Sequence, residues 1–493
     1  MLQKYLIFVF AAVAATIAAM GCGSRSIPVE DAWDGAIAAS GGATGSGGQI
    51  STGGTGVPDA DPACPGSNYA VRSGHLTATP VAIALGESTT LGWSPIPSNP
   101  ALGLTIDPGV GSVLGQTSKV VTPAQTTTYT LTTTYSSGSV SDSVTVFVTE
   151  RKFMPVGGMA VARSGHTATL LADGKVLVVG GASDARGEIY DPRAGAFTAT
   201  GMMAAARSGQ TATLLANGKV LVAGGSSAEL YDPATGTFTV TGNPIVARTQ
   251  HTATLLTSGK VLLAGGYSGT SALASVELYE PATGAFTATG DLTVGRYQHA
   301  AALLKNGSVL LAGGFVPAHD SNNYDGLDSA EIYDPTTGRF TGAGNIRGRM
   351  AAPTAIALPN GTALVLGAPH GFEGWVSNGG LSLYDPVAGQ FLRASTLWEV
   401  KRGMNTATLL PNGVVLVAGG HQDGPSGDLT RDLDEAELCD PTPCTCPACT
   451  CIPTVDMNVP RSSHTATLLQ DGSVLMAGGV INRSALASAE LYK

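Results

Sequence analysis

The chain has 493 residues, 43% of them hydrophobic, only 13% charged, with a net charge of −10. That is enough apolar material for two or three domains, and an acidic balance with no basic stripe excludes nucleic acid as a partner. The 66 glycines, with abundant Thr and few long helix-formers, point to an all-β chain with many tight turns.

In chain order, Gln3-Lys4 gives a short polar start, and "YLIFVFAAVAATIAAM" (5–20) follows as an apolar run slightly short for a membrane span. It ends at Ala19-Met20-Gly21-Cys22, which resembles the lipobox of bacterial lipoproteins, although Ala19 stands where Leu is commonest. The resemblance implies a signal peptide over 1–21, lipidation of Cys22, and export to a bacterial membrane, with the outer membrane or cell surface as the expected site. Plain secretion and an uncleaved anchor are the alternatives. Residues 22–74 include "SGGATGSGGQISTGGTG" (40–56), which cannot bury a core and reads as a flexible tether.

Residues 75–150 alternate apolar and polar residues in several runs, for example "TATPVAIALGESTTLGWS" (77–94). The segment resembles bacterial immunoglobulin-like β-sandwiches, with Trp93 as a core aromatic and Tyr129 where such domains often carry a Tyr. A spacer or stalk is its expected role. "RSGHLTAT" (72–79) mimics the repeat described next, but no Gly-Gly or Tyr-Asp-Pro follows it at repeat spacing, so it is read as chance or a relic.

From residue 151 onward the sequence repeats, and a repeat decides a fold before anything else does. The motif R-x-x-H-T-A-T-L-L opens at Arg163, Arg207, Arg248, Arg296, Arg349, Arg402 and Arg461. Each full copy reads as strand A ("QTATLL"), an Asn-Gly or Asp-Gly hairpin turn, strand B ending in Gly-Gly, strand C ("AELYDP") and strand D ("TFTVTG"). Four antiparallel strands repeated radially make a β-propeller. The Gly-Gly doublet, Glu-x-Tyr-Asp-Pro and the later aromatic (Phe197, Phe238, Phe286, Phe340, Phe391) resemble kelch repeats. The fifth copy departs with Ala368 for the second Gly and Ser382 for Glu; the sixth has Cys439 for Tyr. The last copy supplies only strands A to C. Because Phe153 precedes Arg163 by the same interval as Phe197 precedes Arg207, residues 152–159 are expected to be the missing strand D. The expected fold is therefore a seven-bladed kelch-type propeller over 151–493, closed by its own first strand, which removes exposed edges.

The A–B turns barely vary, whereas the B–C loops of copies four, five and six are long, and function usually sits on such loops. His166, His251, His299 and His464 belong to the repeat and are expected to pack locally. His319, His370 and His421 lie in the long loops, with aromatics Phe315, Tyr324, Phe372 and Trp375. His319, Tyr324, His370, Phe372, Trp375 and His421 are the candidate ligand contacts. Asp320, Asp325, Asp328, Asp423, Asp428 and Asp432 offer an alternative reading as a metal site, calcium or another ion. The stretch 320–331 has the wrong offsets for an EF-hand, however, and Glu331 is the repeat Glu. The repeat Arg and Glu residues are read as a structural ring of ion pairs.

Cys439, Cys444, Cys446, Cys449 and Cys451 cluster in copy six. In an exported chain disulfides are expected, with a metal-thiolate site or a redox-active thiol as alternatives. The expected function is non-catalytic capture of a protein or glycan by a monomer anchored through its lipid, with no cofactor required. Two alternatives stay open: an exported propeller enzyme, metal-assisted or carbohydrate-active, and an adhesive surface protein. Kelch propellers include copper-radical oxidases resembling galactose oxidase. These need a Cys-crosslinked Tyr, a second Tyr and two His, and no propeller Cys lies outside the copy-six cluster.

Overall fold

A computed structural model describes residues 76–93, 103–135, 138–317, 324–369, 380–393, 402–422, 431–441 and 450–493. All belong to one compact unit, Ser73–Lys493, and among them no helix occurs. No helix of the described residues is long and apolar enough to cross a membrane. The expected signal peptide, Cys22 and the tether lie outside the described residues.

The N-terminal part consists of two small sheets. One joins Leu76–Thr79, Thr89–Trp93 and Ser118–Val121; the other joins Ala82–Ala84, Gly138–Thr149, Thr127–Tyr135, Gly103–Asp107 and Gly111–Ser112. Alternation buries one side chain in two: Leu91, Trp93, Ile106, Tyr129, Leu131 and Val146 form a shared core. "RSGHLTAT" contributes Leu76–Thr79 to the first of these sheets, paired with Thr90–Trp93, so its likeness to the repeat has no structural counterpart.

Residues 153–493 form small antiparallel sheets in A-B-C-D order, consistent with a β-propeller. The first holds Thr167–Leu170, Val176–Val179, Arg186–Asp191 and Ala196–Met202, and copies two, three and six repeat the pattern. In copy four, strand D does not stop. Arg339–Ala357 runs on into strand A of copy five, which merges those two copies into one larger sheet. Strand B is buried throughout, as in Val176–Val179 and Val309–Ala312, because it is covered on both faces by neighbouring sheets. The A strands neighbour one another in sequence order, and Thr465–Leu468 of copy seven returns against Thr167–Leu170 of copy one. Strand C of copy seven, Ala489–Tyr492, takes Phe153–Val156 as its fourth strand, with Tyr492 opposite Phe153.

Copy five corrects the register read from sequence. Elsewhere the second Gly of a doublet donates its N–H to the carbonyl of the next copy's Arg, as Gly181 does to Arg207 and Gly266 to Arg296 at 2.8 Å. Gly314 donates instead to Met350 at 3.0 Å. Met350, fully buried, therefore holds the Arg place, Pro353 the His place, and exposed Arg349 lies one position outside the motif. With Ser382 in the Glu place, both members of the ion pair are gone together. That is the physically consistent outcome, since losing one partner alone leaves a buried charge uncompensated.

Candidate functional site

Six copies pin the base of the B–C loop in the same way. Arg163, Arg207, Arg248, Arg296, Arg402 and Arg461 pair with Glu188, Glu229, Glu277, Glu331, Glu437 and Glu490, with nearly every side chain buried. Each guanidinium also donates through Nη1 to the carbonyl of the first Gly of its doublet, for example Arg248 to Gly265 at 2.7 Å and Arg461 to Gly478 at 2.8 Å. The carboxylates take further backbone N–H groups, as Glu277 does from Ile245 and Val246. A buried pair keeps its charge only with such additional hydrogen bonds.

The doublet itself is explained by the repeat histidines. A Cβ on Gly478 would lie 2.6 Å from His166 Cε1, and one on Gly479 2.8 Å from His464 Cβ. The first Gly thus makes room for the next copy's imidazole and the second for its own. Each ring's Nε2 bonds the first Thr of the preceding strand A: His166 to Thr465, His251 to Thr211, His299 to Thr252 and His464 to Thr406, all at 2.9–3.0 Å. Gln210 takes the place in copy two, donating to Val179 O at 2.9 Å. Burial, reinforced by the neighbouring Arg, pushes His166, His251 and His299 down to about 3 and His464 well below its ordinary value. These four are neutral and structural, as the repeat implied, but they fasten neighbouring sheets and do not bond only within their own copy.

Above this framework, copies six and seven each extend a short hairpin. His421–Gln422 pairs with Arg431–Asp432, and Val480–Ile481 pairs with Ser484–Ala485. The second turns through Asn482 and Arg483, both with positive φ, 49° and 66°, as a two-residue type I′ connection requires. Between the hairpins lies an open cleft of about 450 Å³ lined by His421, Asp432, Asn482 and Arg483. Asp432 organises it. Its Oδ1 faces His421 Nδ1 at 3.1 Å and accepts from Ser462 Oγ at 2.6 Å; its Oδ2 accepts from the Asn482 N–H at 2.8 Å. The Asp432 side chain is 6% exposed and that of His421 32%, so the carboxylate is sequestered while the imidazole reaches solvent. A carboxylate fixed by several donors and holding an imidazole through Nδ1 orients the ring for proton transfer through its other nitrogen.

Cys439 and Cys451 form a disulfide. Their register is informative: Cys439 lies opposite Cys451 just as Tyr190 lies opposite Phe197 and Tyr279 opposite Phe286, whose rings pack at 4.9 Å. The disulfide stands where other copies place an aromatic pair. Glu437 lies close to both sulfurs, but those sulfurs are bonded to each other and Glu437 is paired with Arg402, so the trio does not suit a metal. Cys444, Cys446 and Cys449 lie outside the described residues.

Of the loop residues expected to act, the structure brings His421 and Asp432 together. Asp328 stands apart, its Oδ2 accepting from Asn345 Nδ2 at 3.3 Å. Tyr324 and Asp325 lie on the strand Tyr324–Asp334, with backbone partners Pro317 and Val316. His319, Asp320, His370, Phe372, Trp375, Asp423 and Asp428 lie outside the described residues. Sequence reasoning missed Ser462, Asn482 and Arg483, because copy seven has a short B–C loop; its signal was the turn dipeptide Asn482-Arg483.

The donors of a galactose-oxidase-like copper site do not converge among the described residues. The repeat histidines spend Nε2 on threonines beneath the loops. The repeat tyrosines are buried against phenylalanines, and Cys439 and Cys451 are consumed. A scan of family models and a search of curated proteins return no match for this sequence. Among solved structures, the chain is similar to a novel fungal alcohol oxidase of the AA5 family in complex with copper. The TM-score is 0.55 at 18% identity, over 70% of this chain and 76% of that one, a likeness of fold.

Proposed function

We propose that residues 151–493 are a seven-bladed kelch-type propeller, residues 75–150 an immunoglobulin-like sandwich, and the whole an exported protein held to a membrane through Cys22. The cyclic order of the A strands and the pairing of Phe153–Val156 with Ala489–Tyr492 support the blade count and the closure. On this propeller we place an enzyme of the proton-transfer type, acting on a ligand held at the cleft between blades six and seven. The observation that carries it is the imidazole of His421, fixed by Asp432, which is itself fixed by Ser462 and Asn482. His421 would give or take a proton at the bound ligand; Asp432 would hold the ring in its orientation. The fold of a fungal alcohol oxidase supports a propeller with catalytic capacity, but its copper chemistry is not part of the reading.

Non-catalytic capture is the second reading, and the same cleft would serve it. A thermal-shift screen of oligosaccharides and peptides against the full chain finds binders by mass action. Incubating a binder with parent, His421→Ala and Asp432→Asn protein then separates the readings. Product formed by the parent and lost in both variants establishes the enzyme. Binding that depends on His421 without turnover establishes capture. Binding indifferent to both substitutions removes the cleft from either role.

A further inference from the structure

We propose that the cleft takes a ligand bearing a carboxylate, and that Arg483 is the residue that selects it. The inference rests on the cleft being the ligand site and adds the ligand's charge class. In a chain of net charge −10, several exposed cations are already paired: Lys175, Lys219 and Lys260 with strand-C carboxylates, Arg186 with Asp184 and Arg431 with Glu435. Arg483 has no ion pair among the described residues, and it lines the cleft.

Its position is built. Asn482 and Arg483 both hold positive φ, which a non-glycine residue adopts at a cost. The hairpin carrying them is tied to the neighbouring loop by the Asn482 N–H bonding Asp432. Asp432, the one carboxylate of the cleft lining among the described residues, forms no ion pair with Arg483 and is already engaged by other donors. Both its oxygens already accept, from Ser462 on one side and Asn482 on the other, with His421 Nδ1 alongside. The guanidinium is thus left to an incoming anion, and its planar fork matches a carboxylate with two parallel hydrogen bonds. A single cation beside a buried carboxylate favours a singly charged group over a phosphate dianion. The cleft is open and its described lining residues are all of hydrophilic type, which suits a hydrophilic chain such as a uronic-acid oligomer better than an apolar acid.

The test uses the full chain and galacturonic-acid oligomers beside their methyl esters, which keep the shape and remove the charge; inorganic phosphate is the third probe. Isothermal titration calorimetry on the parent, Arg483→Gln, Arg483→Lys and His421→Ala gives the answer. The expected result is binding of the acid oligomer, at least tenfold weaker for the ester, at least tenfold weaker in Arg483→Gln, partly restored in Arg483→Lys, and weakened by added salt. Equal binding of acid and ester, or indifference to Arg483→Gln, overturns the carboxylate assignment; if His421→Ala still abolishes that binding, the cleft itself survives. Acid binding indifferent to both His421→Ala and Arg483→Gln overturns the cleft as well. Tighter binding of phosphate than of the acid oligomer, or no binding of any probe, also overturns the assignment.

Discussion

The ring of Phe153 packs against that of Tyr492 at 5.0 Å, so the first strand of the repeat region completes the last sheet. Tyr492 is fully buried there, and its hydroxyl bonds Thr454 Oγ1 at 3.1 Å. Closure by one borrowed strand makes the whole ring depend on that contact. Phe153→Ala should cost about 3–5 kcal/mol, the usual range for a buried Phe. Deleting 152–159 should lower the Tm of the entire repeat region in one transition. A deletion variant that melts like the parent would show that the strand is dispensable.

Met350 and Ser382 replace an Arg–Glu pair as a unit, and the replacement can be reversed. Met350→Arg alone places a guanidinium in a buried site without its carboxylate, and Ser382→Glu alone does the converse. Each should destabilise by about 3–5 kcal/mol. The double variant should cost clearly less than the sum, a coupling of at least about 1 kcal/mol in a urea-denaturation cycle. Strict additivity would mean that the two positions do not face each other as the six other pairs do.

This copy also marks how far the sequence could be read. The doublets, the hairpin turns and the orphan strand at Phe153 were legible because each repeats at fixed spacing. The register of copy five was misread: Arg349 matches the motif by residue type, but it precedes its Asn-Gly turn by 11 residues where the other six precede theirs by 10, and the Gly314 to Met350 hydrogen bond shows the same offset. In the cleft, His421 and Asp432 stood out as unusual residues in a long loop. Ser462, Asn482 and Arg483 did not, because their role comes from the approach of two hairpins distant in sequence. The substitution of a disulfide for a Tyr–Phe pair was half visible, as Cys439 in the Tyr place, but its partner needed the register opposite Cys451.

The buried histidines give the fold an acid limit. His166, His251 and His299 are held neutral with values near 3, whereas in the unfolded chain they protonate at about 6.5. A depressed folded value means stability present above pH 6.5 and lost as pH falls from there toward 3, since the unfolded state binds the extra protons. The slope approaches about 1.4 kcal/mol per pH unit for each such histidine in the middle of that window, where the unfolded ring is protonated and the folded one is not. Gln210 shows that an amide fits the same place. His251→Gln should therefore keep most stability at pH 7.5 and flatten the loss between pH 6 and 4.5, read by urea denaturation at each pH. An unchanged acid slope would acquit His251.

Tyr190 differs from its counterparts in one atom's worth of chemistry. The hydroxyls of Tyr231, Tyr279 and Tyr333 bond Thr200, Thr241 and Thr289 of the preceding sheet at 2.8–3.0 Å. Each of these threonines follows the strand-D phenylalanine by the same interval, and the residue at that interval after Phe153 is Val156. The Tyr190 hydroxyl is accordingly buried without a partner, and Val156 packs against its cluster. An unsatisfied buried hydroxyl costs about 1–3 kcal/mol, and a neutral hydrogen bond returns about 1 kcal/mol. Val156→Thr keeps the branched shape and supplies the missing oxygen at the seam where the ring closes. It should raise stability by roughly 1 kcal/mol. In Tyr190→Phe the same substitution should bring no gain, because the hydroxyl it serves is gone. A Val156→Thr gain that persists in Tyr190→Phe would assign the effect to something other than this bond.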